Sequence, residues 1–260
     1  MRILFIGDIV GKPGREITRV ALRDFREREK IDCVIANGEN AAGGSGITPR
    51  IAEDLLGNGI DVLTSGDHIW KRREIYEFLD TTDRLIRPAN YPSGVPGKGS
   101  TVIEVEGAGK IGVINLIGRV FMDAVGCPFD RVRDEIRGVR EMTPVIVVDM
   151  HAEATSEKVA MGWFLDGEVS AVIGTHTHIQ TADEKILPGG TAYITDCGMT
   201  GPYDSVIGRK KEQILTRFLT QLPARFEIAT EGVEMHGVII EVDDETGKAL
   251  NIRRVQEKGE

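Results

Sequence analysis

The stretch Val169-Ser170-Ala171-Val172-Ile173-Gly174-Thr175-His176-Thr177-His178 is a short apolar run that ends in two imidazoles. Residues 169–173 are rich in β-branched and small apolar side chains, which predicts a buried strand. On a strand-like extension, residues two apart face the same side, so His176 and His178 are expected to reach one centre. Imidazole nitrogens are ligands for borderline divalent metals. This stretch therefore predicts a metal site at the end of a strand.

Four other apolar runs end in the same way, each with acidic, amide or imidazole side chains. They are residues 3–6 before Gly7-Asp8, 33–36 before Asn37-Gly38-Glu39-Asn40, 61–64 before Ser65-Gly66-Asp67-His68, and 145–148 before Asp149-Met150-His151. In open α/β sheets, ligands collect at the carboxyl ends of the strands. The chain is therefore expected to assemble these side chains at one sheet edge.

The order of the predicted elements favours an α/β fold. Strands and helices alternate early in the chain. Helical spacing of apolar residues covers 13–30, through Ile17, Val20, Ala21 and Phe25, and covers 71–79 again. Hairpins are predicted at 101–117 and 238–255, where strand-like runs flank Gly-rich or Asp-rich turns. We expect two mixed β-sheets packed face to face with helices on the outside, in a single domain over residues 1–260.

Charge and cysteine content restrict the class of protein. The formal net charge of −9 over 260 residues argues against a general nucleic-acid-coating surface, which would need a basic face. A small phosphate substrate is still compatible, because bound metals reverse the local sign. The three cysteines are widely spaced without a Cys-x-x-Cys pair, which is typical of reduced thiols. The first apolar stretch ends at Asp8 and no run approaches a membrane span, so a cytoplasmic protein is predicted.

Each candidate residue also has an ordinary structural interpretation. Asp8 could cap a helix or form a turn, and Glu39 could be a plain loop residue. His151 and Glu153 could form a surface pair, and His236, in the terminal β region, is interpreted as structural. The metal-site prediction depends on joint occurrence, since four histidines and three acids stand at equivalent strand ends.

Taken together, these motifs resemble the calcineurin-like metallophosphoesterase superfamily and, more narrowly, the YmdB-type phosphodiesterases. The resemblance rests on 7–11 (Gly-Asp-Ile-Val-Gly), 37–40, 151–158 and 174–178, and it extends over nearly the whole chain. It implies a four-layer αββα sandwich and a two-metal phosphodiesterase, often with iron, acting on cyclic nucleotides such as 2′,3′-cyclic AMP. It also implies attack on phosphorus by a metal-bridging hydroxide.

The same resemblance implies a role for each residue of the site. One metal would be held by Asp8, Glu39, Asn40 and His178, and the other by Glu39, Asp67, His151 and His176, with Glu39 bridging. His68 would be the proton donor. The chain departs from the wider pattern at two positions. Val10 stands where the superfamily has histidine, with Asn40 supplying the missing ligand, and Asp67 stands where the family usually has asparagine.

Two rival functions stay open from the sequence. The same centre would serve a metal-dependent phosphomonoesterase such as a nucleotidase, or a non-catalytic regulatory protein that binds a ligand through its metals. His68 argues against the second, because a pure binding protein has no need for a proton donor. The ligand set also suits manganese or zinc in place of iron. Neither the natural substrate nor the oligomeric state follows from the residues.

Overall fold

Two β-sheets form the centre of the protein in a computed structural model that describes residues 1–259. The strands, in chain order, are β1 Arg2–Ile6, β2 Asp8–Ile9, β3 Cys33–Asn37, β4 Val62–Thr64, β5 Ser100–Val105, β6 Gly109–Ile117, β7 Ile146–His151, β8 Ala171–Thr175, β9 Lys185–Ile186, β10 Ala192–Ile194, β11 Met199–Pro202, β12 Val233–Val242 and β13 Ala249–Lys258. The first sheet has the order β2-β11-β12-β1-β3-β4, with β13 paired to β12, and the second has the order β5-β6-β7-β8-β10-β9.

Helices lie outside the two sheets. They are α1 Gly11–Glu29, α2 Pro49–Gly57, α3 Ile75–Leu79, α4 Pro128–Arg140, α5 Thr155–Phe164 and α6 Lys211–Thr220, and a 3₁₀ turn spans Asp67–Lys71. Capping chemistry accounts for where some of them begin. The Thr48 hydroxyl accepts a hydrogen bond from the backbone N–H of Ile51, and Pro49 occupies the first helical position of α2.

Alternation along the strands divides the core into layers. Along β7, Val145 before the strand and Val147 within it pack against the other sheet, whereas Ile146 and Val148 pack under the helices. Phe5 and Ile35 of the first sheet belong to the same inter-sheet layer. Fully burying one such side chain stabilises the fold by about 1.5–3 kcal/mol, so this layer strongly favours face-to-face packing. The predicted αββα arrangement is confirmed.

Both sheets are mixed, as expected. Strands β6, β7, β8 and β10 run parallel, and so do β1, β3 and β4, while β12 pairs antiparallel with β1, β11 and β13. The carboxyl ends of the parallel strands of the two sheets meet at one end of the sandwich. The site lies there.

Some local predictions were wrong. The alternative interpretation of Asp8 as a helix cap or turn residue is wrong, because Asp8 begins β2 and pairs with Met199 of β11. The single helix expected over 71–79 is a 3₁₀ turn followed by the shorter α3. Val20 was expected on the buried face of α1 but is 67% exposed.

Within residues 1–259, no helix combines the length and the apolar character needed to cross a lipid bilayer. The cytoplasmic location stays a prediction.

Candidate metal centre

On each central strand, the side chains that face the other sheet are apolar along most of the strand and polar at its carboxyl end. On β7 the row continues from Val147 to Asp149 and His151, because residues two apart share a face. The neighbouring strands do the same. The polar members of these rows are Asn37, Thr64, Asp149, His151 and Thr175, all buried. The apolar layer between the sheets therefore ends in a cluster of ligand-type and supporting polar groups.

Four predicted ligands converge within this cluster. One ligand atom from each of Glu39, Asp67, His151 and His176 lies within 4.8 Å of the others. His151 Nε2 lies 3.3 Å from Glu39 Oε1 and 3.3 Å from Asp67 Oδ1. It also lies 3.0 Å from His176 Nδ1. Two imidazole nitrogens facing each other beside two carboxylates form a donor set that fits a divalent cation.

Asp8, Asn40 and His178 form a second group on the other side of Glu39. His178 Nε2 lies 3.3 Å from Asn40 Nδ2 and 3.9 Å from Asp8 Oδ1. Asp8 Oδ1 is buried without a hydrogen-bond partner, while Asp8 Oδ2 accepts from the backbone N–H of His176 at 3.1 Å. A buried carboxylate oxygen without a partner is costly, and a cation beside it would remove that cost.

Asn40 presents its amide in the orientation opposite to the one that ligation needs. Its Oδ1 lies 2.7 Å from His68 Nδ1, and its Nδ2 donates to Glu39 Oε1 at 3.1 Å. Only an amide oxygen binds a cation. A half-turn of the amide exchanges the two atoms, so Asn40 can serve either His68 or a metal through its oxygen.

The His176-Thr177-His178 segment does not continue the strand. β8 ends at Thr175, and His176 and His178 have φ values of 98° and 66°, in the left-handed region that non-glycine residues rarely adopt. Both imidazoles reach the centre, as predicted, but through a strained turn and not through strand alternation. The strand-based reason for that prediction was therefore wrong.

Each ligand-type histidine has a partner on its second ring nitrogen. His151 Nδ1 lies 2.9 Å from Thr175 Oγ1, which donates in turn to Asp149 Oδ1 at 2.7 Å. His176 Nε2 lies 3.1 Å from Glu153 Oε2. His178 Nδ1 lies 3.1 Å from the carbonyl oxygen of Ile207. Such contacts fix the tautomer and leave the other nitrogen free for a metal.

No supporting role for Asp149, Glu153 or Thr175 is predicted from the sequence, where Glu153 is considered only in the alternative of a surface pair with His151. A usable signal was present for Asp149. It is a carboxylate inside an otherwise apolar strand, two residues before a candidate ligand and therefore on the same face. No comparable local signal marks Thr175.

Gly66 shows why the Ser65-Gly66-Asp67-His68 turn needs glycine. A Cβ atom at this position would lie 2.2 Å from His151 Nε2 and 2.4 Å from Glu39 Oε2. Any side chain would therefore displace two of the converging groups. The glycine lets the backbone pass directly beside the ligands.

The electrostatics of the cluster favour added positive charge. Burial would raise the pKa of Glu39, but His151 and His68 outweigh it and hold that pKa well below its usual range. Burial would lower the pKa of His151, yet Glu39 and Asp67 raise it well above its ordinary value. Burial and the neighbouring His151 lower the pKa of His176 to about 4. The carboxylates thus stabilise positive charge at this position, which a bound cation would supply.

His68 stands at the edge of the cluster. Its backbone N–H donates to Glu39 Oε2 at 3.0 Å, and its Nε2 lies 3.6 Å from Asp67 Oδ2. The side-chain interaction of its Nδ1 with Glu39 Oε1, 3.4 Å away, is the largest influence on the pKa of His68 and raises it, with burial acting in the opposite direction. The ring therefore favours the protonated form, which is the form that can donate a proton.

A cavity of about 280 Å³ opens onto these groups. Its lining residues are Val10, Glu39, Asn40, Gly44, His68, Glu153, His176, Thr177, His178, Ile207 and Arg209. A larger groove of about 830 Å³ runs along α1, but it holds none of the predicted site residues. His236 is also absent from the centre. It is buried, stacks on Tyr203 with ring centroids 4.0 Å apart, and pairs with Glu234, so its structural interpretation is confirmed.

Comparison with known proteins gives consistent matches over nearly the full chain. The family model described as YmdB-like protein matches residues 4–255. A 2′,3′-cyclic-nucleotide 2′-phosphodiesterase of Bacillus subtilis (strain 168) is 49% identical over 255 residues, covering 98% of this chain and 96% of the relative.

Two solved structures share the fold closely. A hypothetical protein from Thermus thermophilus superposes with a TM-score of 0.92 at 41% identity, covering 99% of both chains. A novel phosphatase from Mycoplasma pneumoniae superposes with a TM-score of 0.92 at 34% identity, covering 99% of this chain and 93% of that one.

Proposed function

The chain belongs to the YmdB-like protein family of the calcineurin-like metallophosphoesterase superfamily, and from this premise we propose that it is a two-metal phosphodiesterase acting on 2′,3′-cyclic nucleotides. The predicted enzyme class, a hydrolase of phosphoric esters, agrees with the Bacillus subtilis relative. The substrate, the number of metals and the residue roles are our proposal.

One observation carries it: seven ligand-type side chains from two sheets converge beside a cavity that His68 also lines. We assign Asp8, Glu39, Asn40 and His178 to one metal position, and Glu39, Asp67, His151 and His176 to the other. Glu39 lies between the two groups, with Oε1 3.1 Å from Asn40 Nδ2 and 3.3 Å from His151 Nε2. The resemblance favours iron, and the nitrogen and oxygen donors also suit manganese or zinc.

When bound, two cations would supply an activated water for attack on phosphorus and neutralise charge on the phosphate oxygens. The chain's own residues provide the rest. His151, His176 and His178 are held as ligands by Thr175, Glu153 and the Ile207 carbonyl. The Glu39 and His151 side chains are buried, which keeps bulk water away from these two residues.

His68 is proposed to protonate the departing ribose oxygen as the cyclic ring opens. Its imidazole lines the cavity and is partly exposed, so a substrate can reach it. The backbone N–H of His68 donates to Glu39 Oε2 at 3.0 Å, which holds His68 beside the proposed metals. General acid catalysis by a positioned imidazole contributes about 10²- to 10⁴-fold to a rate.

A phosphomonoesterase is the second candidate, because the Mycoplasma pneumoniae structure is described as a phosphatase. The non-catalytic alternative has less support, since His68 has no purpose in a site that only binds. A substrate panel separates all three functions.

The test combines elemental analysis of the purified protein with assays on 2′,3′-cyclic AMP, bis-p-nitrophenyl phosphate and p-nitrophenyl phosphate. We expect two metals per chain and a preference for the diesters. Replacing His68 by Gln should lower kcat by about 10²- to 10⁴-fold while the metal content stays unchanged. Preference for p-nitrophenyl phosphate would support the monoesterase, and a metal-loaded protein inert toward every ester would support the binding protein.

A further inference from the structure

A buried ion pair lies behind the His176-Thr177-His178 turn and belongs to neither metal position. Lys158 Nζ lies 2.7 Å from Asp196 Oδ2, and the two side chains are 1% and 0% exposed. Lys158 comes from α5 and Asp196 follows β10. Withdrawing two charges from water costs several kcal/mol per ion, so a buried pair is not explained by stability alone.

The Asp196 carboxylate accepts two hydrogen bonds from Thr177, the residue between the two histidines. Its Oδ2 accepts from the backbone N–H of Thr177 at 3.0 Å and from the Thr177 hydroxyl at 2.7 Å. Its Oδ1 accepts from the backbone N–H of Gly198 at 2.9 Å. Both donors of Thr177 therefore end on one buried anion, which Lys158 neutralises.

Thr177 connects one ligand of each metal position. His176 belongs to the group around Asp67, and His178 belongs to the group around Asp8. Both histidines have positive φ, a strained conformation that persists only where the surroundings impose it. The contacts from Asp196 to Thr177 lie at the centre of this strained turn.

We propose that the Lys158–Asp196 pair is a positioning device shared by both metal positions. By holding Thr177, it sets where His176 and His178 present their ring nitrogens, and its loss weakens both positions together. The inference rests on the proposed two-metal centre, but not on any catalytic step. Lys158 and Asp196 act through Thr177 and are positioning residues.

The experiment measures cobalt(II) binding to metal-depleted protein, using the visible absorption of the bound ion to follow each position. Lys158→Met leaves Asp196 as an uncompensated buried charge and should weaken both cobalt affinities by about 10- to 100-fold, the range found when partners of metal ligands are removed. Thr177→Val removes only the hydroxyl contact and should weaken both affinities less. Lys210→Met, which breaks the exposed pair with Glu227, is the control and should change neither.

A double variant separates positioning from simple damage to the core. Lys158→Met with Asp196→Asn removes both charges but keeps an oxygen that can accept from Thr177. We expect it to recover most of the cobalt affinity lost in Lys158→Met. If Lys158→Met does not fold, this double variant is compared with Lys158→Met plus Asp196→Leu, which is equally uncharged but lacks the acceptor and should bind cobalt weakly.

Unchanged cobalt affinities in Lys158→Met, or weakening at one position only, would overturn the proposal. So would a double variant with Asn that binds no better than the one with Leu. Failure of the proposed function looks different, because a protein that binds two cobalt ions with this pattern yet hydrolyses no phosphodiester refutes the activity and leaves the positioning role standing.

Discussion

Asp67 stands where the family resemblance implies asparagine, so it adds one carboxylate to the proposed centre. Its Oδ1 lies 3.3 Å from His151 Nε2 and 3.5 Å from His176 Nδ1, so its negative charge lies among the proposed ligands. Asp8, Glu39 and Asp67 together offset three of the four positive charges of two divalent ions. Asparagine at this position would leave one more positive charge facing the phosphate. With Asp67, a trivalent ion in the second metal position would restore that charge.

We therefore predict that Asp67→Asn lowers KM for a phosphodiester by about tenfold, or about 1.4 kcal/mol, or shifts the metal preference toward divalent ions. Steady-state kinetics and elemental analysis measure the two effects. Asp83→Asn is a matched control, since Asp83 pairs with Lys98 on the surface. Identical KM and metal content in Asp67→Asn and the native chain would contradict the charge argument.

At the scale of elements, α1 packs against β11, the strand that pairs with Asp8. A Cβ on Gly14 would lie 2.2 Å from the carbonyl oxygen of Thr200, so helix and strand touch through backbone alone. Asp8 pairs with Met199, the residue before Thr200. Packing of α1 and alignment of Asp8 are thus coupled.

Gly14→Ala should destabilise the protein by about 1–3 kcal/mol, because the backbones must separate to admit the methyl group. A Cβ atom on Gly138 of α4 would have open space around it. Gly138→Ala should therefore stabilise the protein by about 0.5–1 kcal/mol, because alanine has the higher helix propensity. Urea unfolding of both variants provides the comparison. Equal effects at the two positions would mean that the close approach of α1 to β11 is not important for stability.

On β12, burial lowers the pKa of His236 below its ordinary value, against the opposing influence of Glu234. The unfolded chain then binds more protons than the folded one below about pH 6.5. The stability that neutral His236 contributes is present above that pH and is lost as the pH falls toward the folded pKa.

We predict that the native chain loses stability relative to the His236→Gln variant below pH 6.5. The free energy of unfolding of the native chain minus that of the variant should fall by at most about 1.4 kcal/mol per pH unit. Urea unfolding at pH 7.5 and pH 5.5 measures it. Glutamine keeps a donor for Glu234 but does not titrate. A difference between the two proteins that is independent of pH would refute the assignment.

At the scale of the whole molecule, the centre joins the two sheets. Asp8, Glu39 and Asp67 come from the first sheet and its loops, whereas His151 and His176 come from the second. Cations held by both sets would stabilise the folded state against the unfolded one, which does not assemble the site.

Chelation should therefore lower Tm. A metal at 100 times its Kd contributes about 2.7 kcal/mol, which corresponds to roughly 5–10 °C for a chain of this size. Thermal unfolding with and without a chelator measures the shift, and His151→Ala should show a smaller one because it lacks a ligand. An identical Tm for the metal-loaded and chelated native chain would contradict a metal bridge between the sheets.

Local sequence pattern determined the fold class and most of the candidate site. Apolar runs of strand length, each ending in an acid, an amide or a histidine, predict parallel strands with chemistry at their carboxyl ends. The periodicity of each segment contains that information. The same local signals predicted Val20 on the buried face of α1, which is wrong. The angle at which a helix crosses its sheet decides which of its turns contact the sheet, and local periodicity does not contain that angle.

Only the tertiary structure decided how the site is held together. Thr175 contacts His151 across 24 residues, and Asp196 holds Thr177 from 19 residues further along the chain. The positive φ of His176 and His178 has no signal in the segment itself, since it is imposed by groups that folding brings beside it. Sequence pattern thus places a residue on a face or at a strand end, whereas the pairing of distant faces depends on the packing of two whole sheets.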